Sequence, residues 1–147
     1  MTRKRTGDPW MPAYEYARLL KGLTMNLLVR DIAVALPFYT DVLGLRLLYS
    51  DPDFAALDGG DSIRITLHAD HTYDDQPEAG RLAVPGKRGT GAEIRLMGLD
   101  ADEVERRARA RDYVVVVPTF VPPGHRWREC RLEDPDGYMF AVGKPVA

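Results

Sequence analysis

The sequence predicts an α+β domain in which the order strand, helix, three strands occurs twice. Three observations carry this reading. Apolar and polar residues alternate in several short runs rich in branched side chains. Two segments open on an aspartate and follow a helical period, Asp31 to Leu43 and Asp100 onward. Gly- and Asp-rich turns separate the remaining runs.

The elements follow in order. The first ten residues are polar, contain Pro and Gly, and read as loose. Pro12 precedes a short helix, Ala13 to Lys21, with Gly22 as its stop. Leu23 to Arg30 is the first strand, with Met25, Leu27 and Val29 on one face and Thr24, Asn26 and Leu28 on the other. Asp31 caps a helix to Leu43, ended by Gly44, with a kink expected at Pro37 because proline cannot donate to the preceding turn. Strands follow at Arg46 to Ser50, Phe54 to Leu57 and Ser62 to Ala69, with Gly59-Gly60 as the turn before the last. Asp70 to Gly91 is a long polar connector. Ala92 to Met97 then opens the second half. Asp100 caps the next helix, with Glu103 placed to cap in return and Asp102/Arg106, Glu103/Arg107 and Glu105/Arg109 as i,i+4 pairs. Tyr113 to Val117, Trp127 to Glu133 and Tyr138 to Val142 are the closing strands, the last two joined by the Asp134-Pro135-Asp136-Gly137 turn. The expected organisation is a tail and short helix over 1–22, then one domain over 23–147 with βαβββ modules at 23–70 and 91–143.

Composition bounds the function. A chain of 147 residues is the length of one ordinary domain. A formal net charge of -2 argues against nucleic acid as main partner, and the basic run Thr2-Arg3-Lys4-Arg5 reads as a tail. The single Cys130 precludes an internal disulfide, and its place in an alternating strand marks it as a small buried side chain. No apolar run is long enough to span a bilayer, and Asp8-Pro9 interrupt any signal-peptide pattern, so no membrane partner and a cytoplasmic location are expected.

Alternation fixes which side chains face the helices. Met25, Leu27, Val29, Ile63, Ile65, Leu67, Ala92, Ile94, Leu96, Cys130 and Leu132 form the apolar face. The other face carries Thr24, Asn26, Arg64, Thr66, His68, Glu93, Arg95, Trp127, Glu129, Arg131, Met139 and Ala141. Such a polar face is either a solvated sheet surface with cross-strand Glu/Arg pairs or, if the sheet curls, the lining of a ligand cleft.

Two motifs narrow the choice. Leu28-Val29-Arg30-Asp31, Ala35-Leu36-Pro37-Phe38-Tyr39 and Val42-Leu43-Gly44-Leu45 resemble the opening of glyoxalase/bleomycin-resistance/dioxygenase (vicinal oxygen chelate) proteins. Leu132-Glu133-Asp134-Pro135-Asp136-Gly137-Tyr138 resembles their closing hairpin. The resemblance implies a cupped mixed sheet built from the two modules, a small-molecule ligand and a homodimer. It also implies where metalloenzymes of the family hold their ion. Those places fall on Thr24, near Thr66, on Gly91 (or Glu93 in a shifted register) and on Ala141. Thr, Gly and Ala do not supply the imidazole or carboxylate a divalent ion wants, so no metal is expected at the family's usual site.

The candidate groups are therefore these. His68, Glu93 and Glu129 are the candidate acid/base residues. Asn26, Arg95, Trp127, Arg131, His125 and Tyr73 are candidate ligand-binding residues. The simpler reading of Glu93 and Glu129 is salt-bridged walls, since Arg95 and Arg131 lie two residues away. Two functions compete. One is a metal-independent protein that sequesters or carries a polar or aromatic compound. The other is an enzyme, a lyase, isomerase or dioxygenase, using a divalent ion displaced to His68, Asp70 and His71 or a His68/Glu pair.

Overall fold

The computed structural model describes residues 6–61, 63–77 and 79–146. The basic run Thr2 to Arg5 and Ser62, the expected first residue of a strand, lie outside the described residues. The chain forms two four-stranded mixed sheets, each from one βαβββ module, with a short N-terminal helix. By contacts it divides into two compact units. One runs to Leu36 and resumes over Gly44–Pro85; the other takes Pro37–Leu43 and everything from Gly86 onward.

In the first unit, α1 spans Ala13–Ala17, β1 Met25–Val29 and α2 begins at Ile32. Strands β2 (Arg46–Ser50), β3 (Phe54–Gly60) and β4 (Ile63–Ala69) complete a sheet of order β1-β4-β3-β2. β1 runs parallel to β4 with Asn26 opposite Thr66 and Leu28 opposite His68, and the other pairings are antiparallel. This register puts Asn26, Thr66 and His68 on neighbouring positions of one face. Leu27, Val29, Ile65 and Leu67 are buried on the other, as alternation predicts.

Several boundaries differ from the sequence reading. α1 ends at Ala17 rather than Lys21, so Gly22 does not stop it. The segment from Thr6 to Trp10 is not loose: Thr6 donates to Asp53 through its amide (2.6 Å) and its hydroxyl (2.9 Å), and Trp10 stacks on Tyr49; further on, Tyr16 meets Phe54 edge-on. Gly59 and Gly60 belong to β3, and the turn falls later, where Asp61 takes a left-handed φ of 45°. The connector after β4 carries a 3-10 turn, Asp70–Tyr73, and a short helix α3, Ala79–Leu82.

The helix begun at Ile32 changes character at its proline. Asp31 caps it, accepting from the Val34 amide at 3.1 Å. α2 ends at Pro37, and a π-helical segment, Phe38–Val42, follows, with the Leu43 amide bonding the Phe38 carbonyl. Proline has no N–H to continue the α pattern, so the expected kink is realised as a change of hydrogen-bond period. In the second unit this segment buries Phe38, Tyr39 and Val42, with Phe38 and Tyr39 ring-packed on Phe140 and Phe38 on Tyr113.

The second sheet has the order β5-β8-β7-β6: β5 (Ile94–Met97), β6 (Val115–Phe120), β7 (Trp127–Glu133) and β8 (Met139–Pro145). β5 starts at Ile94, leaving Ala92 exposed and off the apolar face, and β6 lies later than Tyr113–Val117. Helix α4, Ala101–Arg109, packs on this sheet and buries Ala101, Val104 and Ala108. Asp100 caps it by accepting from the Glu103 amide at 3.2 Å. Glu103 does not cap in return; its carboxylate takes Arg106 and Arg107. Asp102 reaches across to Arg128 at 2.7 Å instead of pairing with Arg106, while the Glu103/Arg107 and Glu105/Arg109 pairs form as read. Cys130 is buried, and desolvation pushes its thiol up to about 11, which suits a packed side chain rather than a nucleophile.

The β7–β8 hairpin is held from inside. One Asp134 oxygen accepts from the Asp136 and Tyr138 amides at 2.9 Å, and the other accepts from the Tyr39 hydroxyl at 2.6 Å. Gly137 sits at φ 92°, and a Cβ there would lie 2.6 Å from Lys87 Cβ and 2.8 Å from Lys87 Cα. Gly137→Ala is therefore expected to lose about 2 kcal/mol of stability, read by denaturant unfolding. An unchanged midpoint would show that the hairpin relaxes freely.

Candidate functional site

The polar face of the first sheet is the floor of a cavity of about 480 Å³. Thr24, Asn26, Thr66 and His68 come from β1, its preceding residue and β4, and Arg64 stands at one end. Its walls come from Phe54 and from Trp10, Met11, Tyr16 and Leu20 of the N-terminal segment. That volume is within the range of small-molecule sites, and an apolar wall over a few convergent polar groups is their usual make-up.

Asn26 is the hub of the floor. Its side-chain oxygen accepts from the Thr66 hydroxyl at 2.9 Å and faces His68 Nδ1 at 2.5 Å, and its amide nitrogen donates to the Tyr73 hydroxyl at 2.9 Å. An amide oxygen can only accept, so Nδ1 carries the proton in this contact. The His68 ring also packs against Phe54, centroids 4.8 Å apart, and edge-on to Tyr73. Three residues singled out in the sequence, Asn26, His68 and Tyr73, are thus one connected group.

The wall has a distinct corner. The Tyr16 hydroxyl is buried with no hydrogen-bond partner among the described residues. Burial pushes its phenol up, with the Arg64 guanidinium opposing. Arg64 and Arg46 both pair with Asp58, whose carboxyl is held below its ordinary value by the Gly60 amide and Arg46.

Glu93, Glu129, Arg95, Arg131, Trp127 and His125 line a different depression, in the second unit, with Met97 and Pro122. Here Glu/Arg pairing prevails. Arg131 lies 3.2 Å from Glu93 and 2.9 Å from the buried Glu129, and Arg95 lies 3.8 Å and 3.6 Å from the same two. Each carboxylate faces two guanidinium groups, an arrangement of structural walls more than of a general base. His125 is exposed on the β6–β7 loop, and the buried Trp127 Nε1 has no hydrogen-bond partner among the described residues. His68 lines the cavity of the first unit, and Glu93 and Glu129 line the depression of the second.

His71 does not join His68. It turns to the fully buried Asp53, Nε2 at 2.7 Å. Among the described residues no three His, Cys, Asp or Glu side chains converge to hold a metal ion. Sequence reasoning also missed Trp10, Met11, Tyr16, Leu20 and Phe54 as walls. The signal available was the aromatic spacing Trp10, Tyr14, Tyr16 in a segment otherwise rich in Pro and Gly.

A family model for the glyoxalase/bleomycin resistance protein/dioxygenase superfamily matches residues 22–142. The chain belongs to that superfamily. Among solved structures, a glyoxalase-related enzyme from Fulvimarina pelagi shares 15% identity over 87% of this chain and 94% of its own, with a TM-score of 0.68. A glyoxalase/bleomycin resistance protein/dioxygenase family enzyme from Burkholderia phytofirmans shares 21% over 84% and 97%, TM-score 0.66. A lactoylglutathione lyase from Agrobacterium tumefaciens shares 19% over 84% and 92%, TM-score 0.61. At these identities the likeness is one of fold. No curated protein matches the sequence.

The positions that the sequence resemblance implies for a divalent ion hold other groups. Thr66 is already bonded to Asn26, Ala141 lies buried in β8, and Glu93 is engaged by Arg131. With Thr24 and Gly91 these positions do not fit a divalent ion, which needs imidazole or carboxylate donors. No helix among the described residues is long and apolar enough to cross a membrane.

Proposed function

We propose that this superfamily member is a metal-independent binding protein that sequesters or carries a small, largely apolar aromatic compound in the first unit's cavity. The observation that carries the reading is the cavity's make-up: Trp10, Tyr16, Phe54 and His68 offer ring faces and edges, while Asn26, Thr66 and His68 offer a hydrogen-bonded floor. Aromatic ligands gain from offset or edge-on contact with such rings, and the floor fixes orientation without a covalent step. The lone buried cysteine is compatible with the cytoplasmic setting we favour, and the family resemblance with a homodimer.

An enzyme reading would need His68 to act on a bound substrate with a partner carboxylate or ion. Among the described residues that line the cavity none is a carboxylate, and Glu93 and Glu129 are engaged by arginines of their own unit.

The test is calorimetric titration of flat aromatic probes, beginning with 2-naphthamide. His68→Ala removes a ring face and a polar anchor and is expected to weaken binding about tenfold at unchanged melting temperature. Unaltered affinity would remove His68 from the site. A tightly held divalent ion, about one per chain by metal analysis of the purified protein, would overturn metal independence.

A further inference from the structure

The N-terminal wall of the cavity lies outside the residues matched by the family model, which begin at 22. It includes the Tyr16 hydroxyl, a buried polar atom without a hydrogen-bond partner among the described residues. A buried hydroxyl without a partner is costly, by about the worth of a hydrogen bond, so its retention calls for a reason. Arg64 lines the same cavity and acts electrostatically on the Tyr16 phenol. Arg64 uses Nη1 for Asp58 and the Ile63 carbonyl, and Asp58 is shared with Arg46. Asp58 thus serves two guanidinium groups, so Arg64 has only a share of its carboxylate. The Arg64 side chain is 33% exposed and lines the cavity.

Resting on the aromatic-cavity reading above, we propose that Tyr16 and Arg64 form an anion-receiving corner and that the ligand is an aromatic compound bearing a carboxylate. The ring lies against Trp10, Phe54 and His68. The carboxylate accepts from the Tyr16 hydroxyl, satisfying the orphaned donor, and meets the Arg64 guanidinium. Hydrogen bonds to a charged group are the stronger kind, and a planar guanidinium suits a planar carboxylate.

The experiment compares two probes of nearly equal shape, 2-naphthoate and 2-naphthamide, by calorimetric titration of the full chain. The carboxylate is expected to bind about tenfold or more tightly. Tyr16→Phe and Arg64→Gln should each cut that preference to about threefold or less. Equal binding of the two probes to the wild type, or a preference that survives both substitutions, overturns the proposal. If Arg64→Gln does not fold, Tyr16→Phe decides, since it leaves the Asp58 pairs untouched. Binding of 2-naphthamide without a carboxylate preference sinks this inference alone. Failure of both probes sinks it together with the aromatic-cavity reading.

Discussion

Asp134→Ala is expected to lower stability by about 3–4 kcal/mol, and the melting temperature by about 10 °C. The carboxylate satisfies three donors at once: the amides of Asp136 and Tyr138 and the hydroxyl of Tyr39, which is fully buried. Alanine leaves the phenol without an acceptor in a core walled by Phe38 and Phe140. Asp134→Asn keeps an oxygen for the two amides and is expected to stay within about 1 kcal/mol of the wild type. The pair also predicts a pH signature. Burial raises the Asp134 carboxyl above its ordinary value, against the lowering effect of its hydrogen bonds. The folded state thus holds the proton more tightly than the unfolded state. The stability linked to this group is complete below the ordinary carboxylate range and is lost as pH rises through the raised folded value. Over that acidic window the wild type should lose stability relative to Asp134→Asn as pH increases. Carboxylates held low elsewhere, such as Asp58, act with the opposite sign but are common to both proteins and cancel in the difference. A difference that stays flat, or grows in the wild type's favour, would refute this account, as would an alanine variant of wild-type stability.

The same residue illustrates what the sequence made legible. Asp134-Pro135-Asp136-Gly137 could be read as a turn because local chemistry specifies it: an aspartate accepts from nearby amides and a glycine takes the left-handed φ. The strand faces were legible for the same reason. Period-two alternation is enforced by the pleat, so Leu27, Val29, Ile65 and Leu67 pointed inward and Asn26, Thr66 and His68 outward. What could not be read was set at long range. That Tyr39 serves Asp134, 95 positions away, follows from packing, as does the π-helical segment that carries it. Asp102 illustrates the competition: at helical spacing Arg106 was available, but Arg128 of β7 offered a two-pronged pair. The candidate site divided along the same line. Asn26, His68 and Tyr73 were legible because strand pairing brings them together, whereas the grouping of His68 with Glu93 and Glu129 assumed a common hollow that alternation alone cannot specify. The N-terminal wall escaped notice because Pro and Gly suggested a loose tail, and nothing local revealed that Trp10 would find Tyr49.

Trp10 is where the largest loss of binding is expected. Its ring lies parallel to Tyr49, centroids 5.3 Å apart, and tilts against Tyr16, so it both lines the cavity and positions the Tyr16 ring. Replacing it with alanine removes the broadest apolar surface available to an aromatic ligand. At about 25 cal/mol per Å² of apolar surface, a hundred or so Å² of lost ring contact corresponds to about 2.5 kcal/mol, or close to a hundredfold in affinity. Stability should fall far less, because Trp10 is 37% exposed and the segment remains tied through Thr6 to Asp53. The separation of the two effects is the useful reading. Titration of 2-naphthamide into Trp10→Ala at 25 °C should show the weakening, while the denaturant midpoint moves by less than about 1 kcal/mol equivalent. Trp10→Phe, which keeps a ring able to stack on Tyr49, should restore most of the affinity. If Trp10→Ala binds as the wild type does, the N-terminal segment is mere cladding and the ligand sits against β1 and β4 alone. If stability and affinity fall together in both variants, Trp10 acts by holding the unit's structure and not by touching the ligand.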